Sequence, residues 1–222
     1  MNYEAILTAL QELTSAPQGR KASRPIRRQQ LIDATIEVLA RKGFSALTVS
    51  DVAKAAGLSV GIINFHFESK DKLLSACLLT LAVEYSENWK RALSTPKSTD
   101  AQKLRSMMLS DTNDSVFTND KLGAWIAFWG EAQGRPTYLE ICSAFDTERT
   151  NALIALCKKI TLDGGYKHNP KDVAQALESL NDGLWLGVAS GSTHLKSTIS
   201  ADSARRSIEV ALAAFFPKHF PK

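Results

Sequence analysis

The chain has 222 residues, 44% hydrophobic and 23% charged, with a formal net charge of +4. That length holds one large or two small domains with a real core, and the composition is that of a globular protein, not a disordered or collagen-like one. No apolar run reaches the length of a membrane span and no basic-then-apolar signal pattern opens the chain. The three cysteines (Cys77, Cys142, Cys157) lack CxxC spacing and read as buried reduced thiols of a cytoplasmic protein.

Residues 2–15 place Tyr3, Ile6, Leu7, Leu10 and Leu13 at helical spacing, and "APQGRKASRP" after them reads as a linker or basic arm. Residues 1–23 are therefore an N-terminal extension, ahead of a head over 24–70 and a body over 71–222. From Arg27 the positions Leu31, Ile32, Thr35, Ile36 and Leu39 recur with helical period, and Gly43 in "RKGF" suits the left-handed end of that helix. Thr48 with Asp51 three residues on predicts a capped second helix ending at Gly57. Ser59 opens a third helix to about His66, and Ser69 or Asp71 a long fourth to about Leu93. Helical pattern then recurs near 100–112, 120–133, 137–162, 171–190 and 201–215, with Pro136 and Pro170 where a first turn tolerates proline. No stretch alternates as a strand does. The fold class expected is all-α: a three-helix head, a connecting helix and a larger helical body.

In the head, Val49, Val52, Ala53 and Ala56 make an apolar stripe, Gly57 supplies a sharp turn, and Ile62, Ile63 and Phe67 anchor the third helix inward. This is a helix-turn-helix, whose second helix enters the major groove of double-stranded DNA. Ser59, Val60, Gly61, Asn64, Phe65 and His66 are left on its outer side and N-terminal end. Thr48 and Ser59 suit phosphate oxygens, Gly61 allows close approach, and Asn64 can read a base edge. Phe65 and His66 are placed for sugar-phosphate contact and Lys70 for a phosphate, although His66 also reads as a structural histidine. Between residues 18 and 72 stand ten Lys/Arg against five Asp/Glu, so the basic excess is local. Arg24, Arg27 and Arg28, with Arg20 and Lys21, form an arm for a minor groove or simply a solvated basic segment.

"TVSDVAKAAGLSVGIINFHFESKDKLL" resembles the DNA-binding domain of the TetR family of bacterial repressors. The resemblance covers about residues 25–75. It implies DNA contact by Thr48, Ser59, Gly61, Asn64, Phe65, His66 and Lys70. The family often has tyrosine where this chain has Asn64 or Phe65, and Phe65 has no hydroxyl for a phosphate. "KLGAWIAFWGEAQGRPTYLEI" and "LNDGLWLGVASG", with "IRRQQLIDAT" and "GIINFHF", resemble the choline-responsive betaine-pathway (BetI-type) branch in patches.

The resemblance implies a homodimer on a near-palindromic operator and a small-molecule effector, with no cofactor and no metal. Apolar residues of the last two long helices (Val173, Ala176, Leu177, Leu180, Leu184, Val188, then Ala204, Ile208, Ala211, Leu212, Phe215) suit either a dimer interface or the chain's own core. Trp125, Phe128, Trp129, Tyr138 and Trp185 could face a quaternary ammonium, with Asp182 or Glu131 as counter-charge. The same aromatic spacing is that of an ordinary core stripe, and Asp182 also suits a dimer contact. His66, His168, His194 and His219 have no metal-site spacing, and no nucleophile elbow or phosphate loop occurs, so no catalytic residue is expected. A regulator of an unrelated small molecule and a ligand-independent architectural DNA binder are the alternatives.

Overall fold

The computed structural model describes residues 23–190 and 199–221; the helical pattern at 2–15, Arg20 and Lys21 lie outside the described residues. The described residues form helices and no strand. These are α1 (Ser23–Ala46), α2 (Val49–Ala56), α3 (Val60–Phe67), α4 (Lys70–Leu93), α5 (Asp100–Ser110), α6 (Asn119–Ala132), α7 (Pro136–Gly164), α8 (Pro170–Ala189) and α9 (Ala201–Phe215). The chain is all-α, and the five body helices begin and end within two residues of their predicted bounds. Pro136 and Pro170 each take the first position of a helix, where a missing N–H costs no hydrogen bond.

These helices divide into two compact units. The described residues up to Val83 with Gly123–Phe145 form the first, and Glu84–Leu122 with those from Asp146 on form the second. The boundaries fall inside α4, α6 and α7.

In the first unit α1 buries Leu31, Ile32, Val38 and Leu39. Gly43 (φ 74°, ψ 177°) breaks its helical path; the positive φ is as expected, but ψ is extended. Phe44 and Leu47 beyond it are buried. Phe44 meets Phe128 and Tyr138 edge-on, with ring centroids 6.1 and 6.0 Å away. The Arg135 guanidinium lies 4.8 Å from the Phe44 centroid and 3.3 Å from Asp71. At Gly123 on α6 an added Cβ would come within 3.0 Å of the Ala40 backbone, so α1 and α6 touch nearly backbone to backbone.

α2 is fixed at both ends. Thr48 and Asp51 form a full capping box, and Lys42 donates to Asp51 at 2.6 Å. These bonds from Lys42 and Thr48 hold the Asp51 carboxyl down at about 2. Gly57 is left-handed (φ 64°, ψ 32°); its N–H reaches Lys54 O and the Leu58 N–H reaches Ala53 O, the Schellman pattern. Gln30 Nε2 donates to Ala56 O at 2.6 Å and ties α1 to the end of α2. Ser59 stands at the start of α3 as expected, but its side chain makes no capping bond.

The second unit packs Trp89, Leu104, Met107, Leu153, Leu177 and Leu212 into one core with their neighbours. Its turn after α5 is tied down: Asn88 Nδ2 donates to Ser110 O at 2.8 Å and Arg205 Nη2 to Thr112 O at 3.0 Å. Of the α8 and α9 residues that suited either an interface or a core, Val173, Leu177, Leu184, Ala204, Ile208 and Leu212 are core. The helical period puts other apolar side chains on the outer face, notably Leu186 (50% exposed) and Val210 (69%). Cys77 and Cys157 are buried free thiols and Cys142 is half-buried.

Candidate functional site

α3 presents two faces. Ile63 and Phe67 point into the core, while Ser59, Val60, Gly61, Asn64 and Phe65 are exposed. Phe65 is 65% exposed, a large apolar surface to leave in water. A Cβ on Gly61 would meet nothing nearer than Ser59 Oγ at 3.8 Å, so a partner surface can approach the backbone there. Among the described residues no hydrogen bond takes up the exposed Asn64 amide. Ile62 is half-buried, so the inward anchor rests on Ile63 and Phe67.

Basic groups from α1 flank this face. The Arg24 guanidinium lies 5.2 Å from the Phe65 ring centroid and that of Arg28 4.9 Å from Phe67. Arg27 is exposed and reaches Gln30 at 2.7 Å. Burial, then Arg24 and Arg28, push the half-buried His66 imidazole below its usual range, so it is neutral near pH 7. Its buried Nδ1 has no partner. The Lys70 ammonium donates to Leu47 O at 2.5 Å, which clamps α4 to the turn before α2 and leaves further N–H donors on the same nitrogen. The Thr48 hydroxyl is occupied twice: it donates to Asp51 Oδ2 at 2.7 Å and accepts from Asp51 N at 3.1 Å.

The residues expected to face an effector divide between the units. Trp125, Phe128, Trp129 and Tyr138 belong to the first, Asp182 and Trp185 to the second. Phe128 is fully buried against Phe44 and Tyr138, as a core stripe would be. The buried Tyr138 hydroxyl has no partner, and burial pushes it up to about 12. Trp125 and Trp129 have ring centroids 6.3 Å apart; Trp125 is buried and Trp129 partly exposed. Glu131 pairs with Arg135 at 3.5 Å.

In the second unit Trp185 is buried, donates to Asp111 O at 3.2 Å, and stands edge-on to Tyr85 at 5.2 Å. Beside them lies a charged cluster that sequence reading missed. Arg149 reaches Asp111 at 2.7 Å and Glu178 at 3.2 Å, and its guanidinium lies 5.2 Å from the Tyr85 centroid. Burial pushes the Asp111 carboxyl up to about 7 against the pull of Arg149. Desolvation, then Glu178 and Asp182, push Asp146 up to about 6, and Asp182 is raised for the same first cause. Asp146 and Asp182 nevertheless stand at exposed positions, whereas Asp111 and Arg149 are buried. The signal was present at Arg149, which stands four residues before Leu153 and seven before Leu156 on the buried stripe of α7.

Residues 31–77 match the model of bacterial regulatory proteins of the tetR family, and residues 100–217 that of the BetI-type transcriptional repressor C-terminal region. The HTH-type transcriptional regulator BetI of Escherichia coli O157:H7 is 26% identical over 197 residues, 88% of this chain and 95% of the relative. That of Paraburkholderia phytofirmans is 31% identical over 169 residues, 76% of this chain and 85% of the relative. Among solved structures, a transcriptional regulator from Pseudomonas aeruginosa PAO1 superposes with a TM-score of 0.71 at 24% identity, covering 88% of this chain and 94% of the other. One from Saccharomonospora viridis, solved in complex with choline, gives a TM-score of 0.71 at 20% identity, covering 82% and 93%.

Proposed function

Since the chain belongs to the TetR family of bacterial regulatory proteins, with a BetI-type C-terminal region, we propose that it is a cytoplasmic homodimeric repressor released from its operator by a small effector. It is a regulator of transcription, not an enzyme. Choline or a related quaternary ammonium compound is the first effector to try. The BetI-type match and the choline complex of the Saccharomonospora relative support that choice.

The observation that carries the reading is the exposed face of α3. Asn64 and Gly61 are set for base edges and close backbone approach, with Arg24, Arg27, Arg28 and Lys70 around them for phosphates. Ser59 and Thr48 stand at helix N-termini, where backbone N–H groups suit phosphate oxygens; the Thr48 hydroxyl itself serves Asp51. His66 acts as a neutral ring, and Phe65 and Val60 supply apolar contact. Two such heads on a two-fold dimer read two half-sites, hence a near-palindromic operator. The outward apolar residues of α8 and α9, Leu186 and Val210, suit the second copy. Effector and operator oppose each other reciprocally, and a coupling of about 1–3 kcal/mol would change operator affinity roughly 5- to 150-fold.

The test is fluorescence anisotropy on the DNA upstream of the protein's own gene, at fixed salt, with and without choline and betaine aldehyde. Tight binding relieved by either supports the whole reading. Tight binding relieved by neither keeps the repressor and redirects the effector search to other chemistry. Binding no tighter than to unrelated DNA overturns the repressor.

A further inference from the structure

The first unit holds a cavity of about 300 Å³ between α1, the end of α3, α4 and α7. That volume is at the lower end of the range of small-molecule pockets, about 300–1,000 Å³. Its apolar lining is Phe67, Ala76, Leu79 and Ile141, all buried. Its polar lining comes from three helices: Arg28 on α1, His66 on α3, and Lys72 and Ser75 on α4. Glu68 is the one acid in that lining. With His66 neutral, Arg28 and Lys72 against Glu68 leave the lining one net positive charge.

Arg28 is a half-buried cation with no anion. Its guanidinium lies 4.9 Å from the Phe67 ring centroid, and among the described residues no ion pair or hydrogen bond takes it up. Burial lowers its hold on the proton, and no carboxylate offsets that. A partly desolvated charge without a partner is unfavourable, and a bound carboxylate that accepts from it removes the penalty. A second observation in the same lining is independent of charge. The buried His66 Nδ1 has no partner. Buried polar atoms are nearly always paired, so an orphan in a cavity wall marks a place for a ligand atom. The Lys72 ammonium and the Ser75 hydroxyl are also taken up by no bond among the described residues.

We propose that this cavity is a ligand site in the DNA-reading unit, separate from any effector site in the C-terminal region, and that it takes a compact organic monoanion. Arg28 and Lys72 hold the carboxylate, His66 and Ser75 offer hydrogen bonds, and Phe67, Ala76, Leu79 and Ile141 enclose an apolar body. The anion and the operator then compete for Arg28. The competition rests on the phosphate role proposed for Arg28; the site does not.

Calorimetric titration of the full-length protein with benzoate, benzamide and acetate, at fixed ionic strength, tests it. Benzoate binds saturably. Benzamide, which lacks the charge, and acetate, which lacks the apolar body, each bind about tenfold or more weaker. Arg28→Gln weakens benzoate about tenfold, and Lys72→Gln, at an exposed position, about threefold. Ser75→Leu puts a larger side chain into the cavity and abolishes binding. Saturating benzoate lowers the operator affinity of the parent protein roughly fivefold or more and leaves that of Ser75→Leu as it was. No saturable binding of benzoate, or unchanged affinity in both glutamine variants, overturns the site. So does acetate binding as tightly as benzoate, the result that two cations placed for DNA phosphates alone would give. Saturable benzoate binding that leaves operator affinity in place overturns the competition and the phosphate role of Arg28, not the site.

Discussion

Arg149 and Asp111 meet at 2.7 Å with side chains 3% and 0% exposed, while Glu178 holds the same guanidinium at 3.2 Å. A buried pair of this kind adds little net stability over an apolar pair, but removing one partner strands the other. Arg149→Met is expected to lower unfolding stability by about 3–5 kcal/mol, and adding Asp111→Leu to restore a large part of it. Urea denaturation of the two variants checks this; an equal loss in both would show that the carboxylate is not the stranded group.

Asp146 makes a pH prediction whose sign is fixed. Its carboxyl is raised from 3.8 to about 6, so between those values the folded protein holds a proton that the unfolded chain releases. The stability it contributes is present below the lower value and lost as pH rises through the upper one. Asp146→Asn should therefore match the parent protein's thermal midpoint near pH 4 and exceed it above pH 6. Glu178, Asp182 and Arg149 are the charged groups acting on Asp146. Thermal melts of both proteins from pH 4 to pH 8 check this, and equal midpoints above pH 6 would show that ionised Asp146 carries no burial penalty.

At the DNA face, Lys70 and Phe65 should separate cleanly. Lys70→Ala is expected to weaken all DNA sequences alike, to reduce the salt slope of log affinity by about 0.9, and to cost about 1 kcal/mol of stability through the lost bond to Leu47. Phe65→Ala removes an exposed ring and should change stability by less than about 0.5 kcal/mol while weakening operator binding. A changed sequence preference in the Lys70 variant, with the slope intact, would remove it from the phosphates.

Val210→Glu on α9 should convert the proposed dimer to a monomer that still folds, since the side chain is 69% exposed. Light scattering at several concentrations reads the outcome. A variant that stays dimeric moves the interface to another face of the second unit.

The helix-turn-helix was legible because its devices are local. A capping box spans three residues, a Schellman turn needs one glycine, and the inward stripe repeats within two turns. The prolines opening α7 and α8 acted the same way. The Arg149 cluster was legible only at one end: Arg149 falls on the buried stripe of α7, but its partner Asp111 lies 38 residues away and no local spacing joins the two. The α8 and α9 stripes remained ambiguous because apolar spacing says that a face is covered, not whether the chain's own core or a second copy covers it.

The near-contact of α1 and α6 at Ala40 and Gly123, with Phe44 enclosed by Phe128, Tyr138 and Arg135, bears on modularity. A DNA-reading head cut out after Lys70 would leave Phe44 and one side of α1 bare to water. Grafting this operator specificity onto a different sensor therefore requires transplanting two separate stretches of chain, residues up to Val83 and Gly123–Phe145, or rebuilding the second as new sequence.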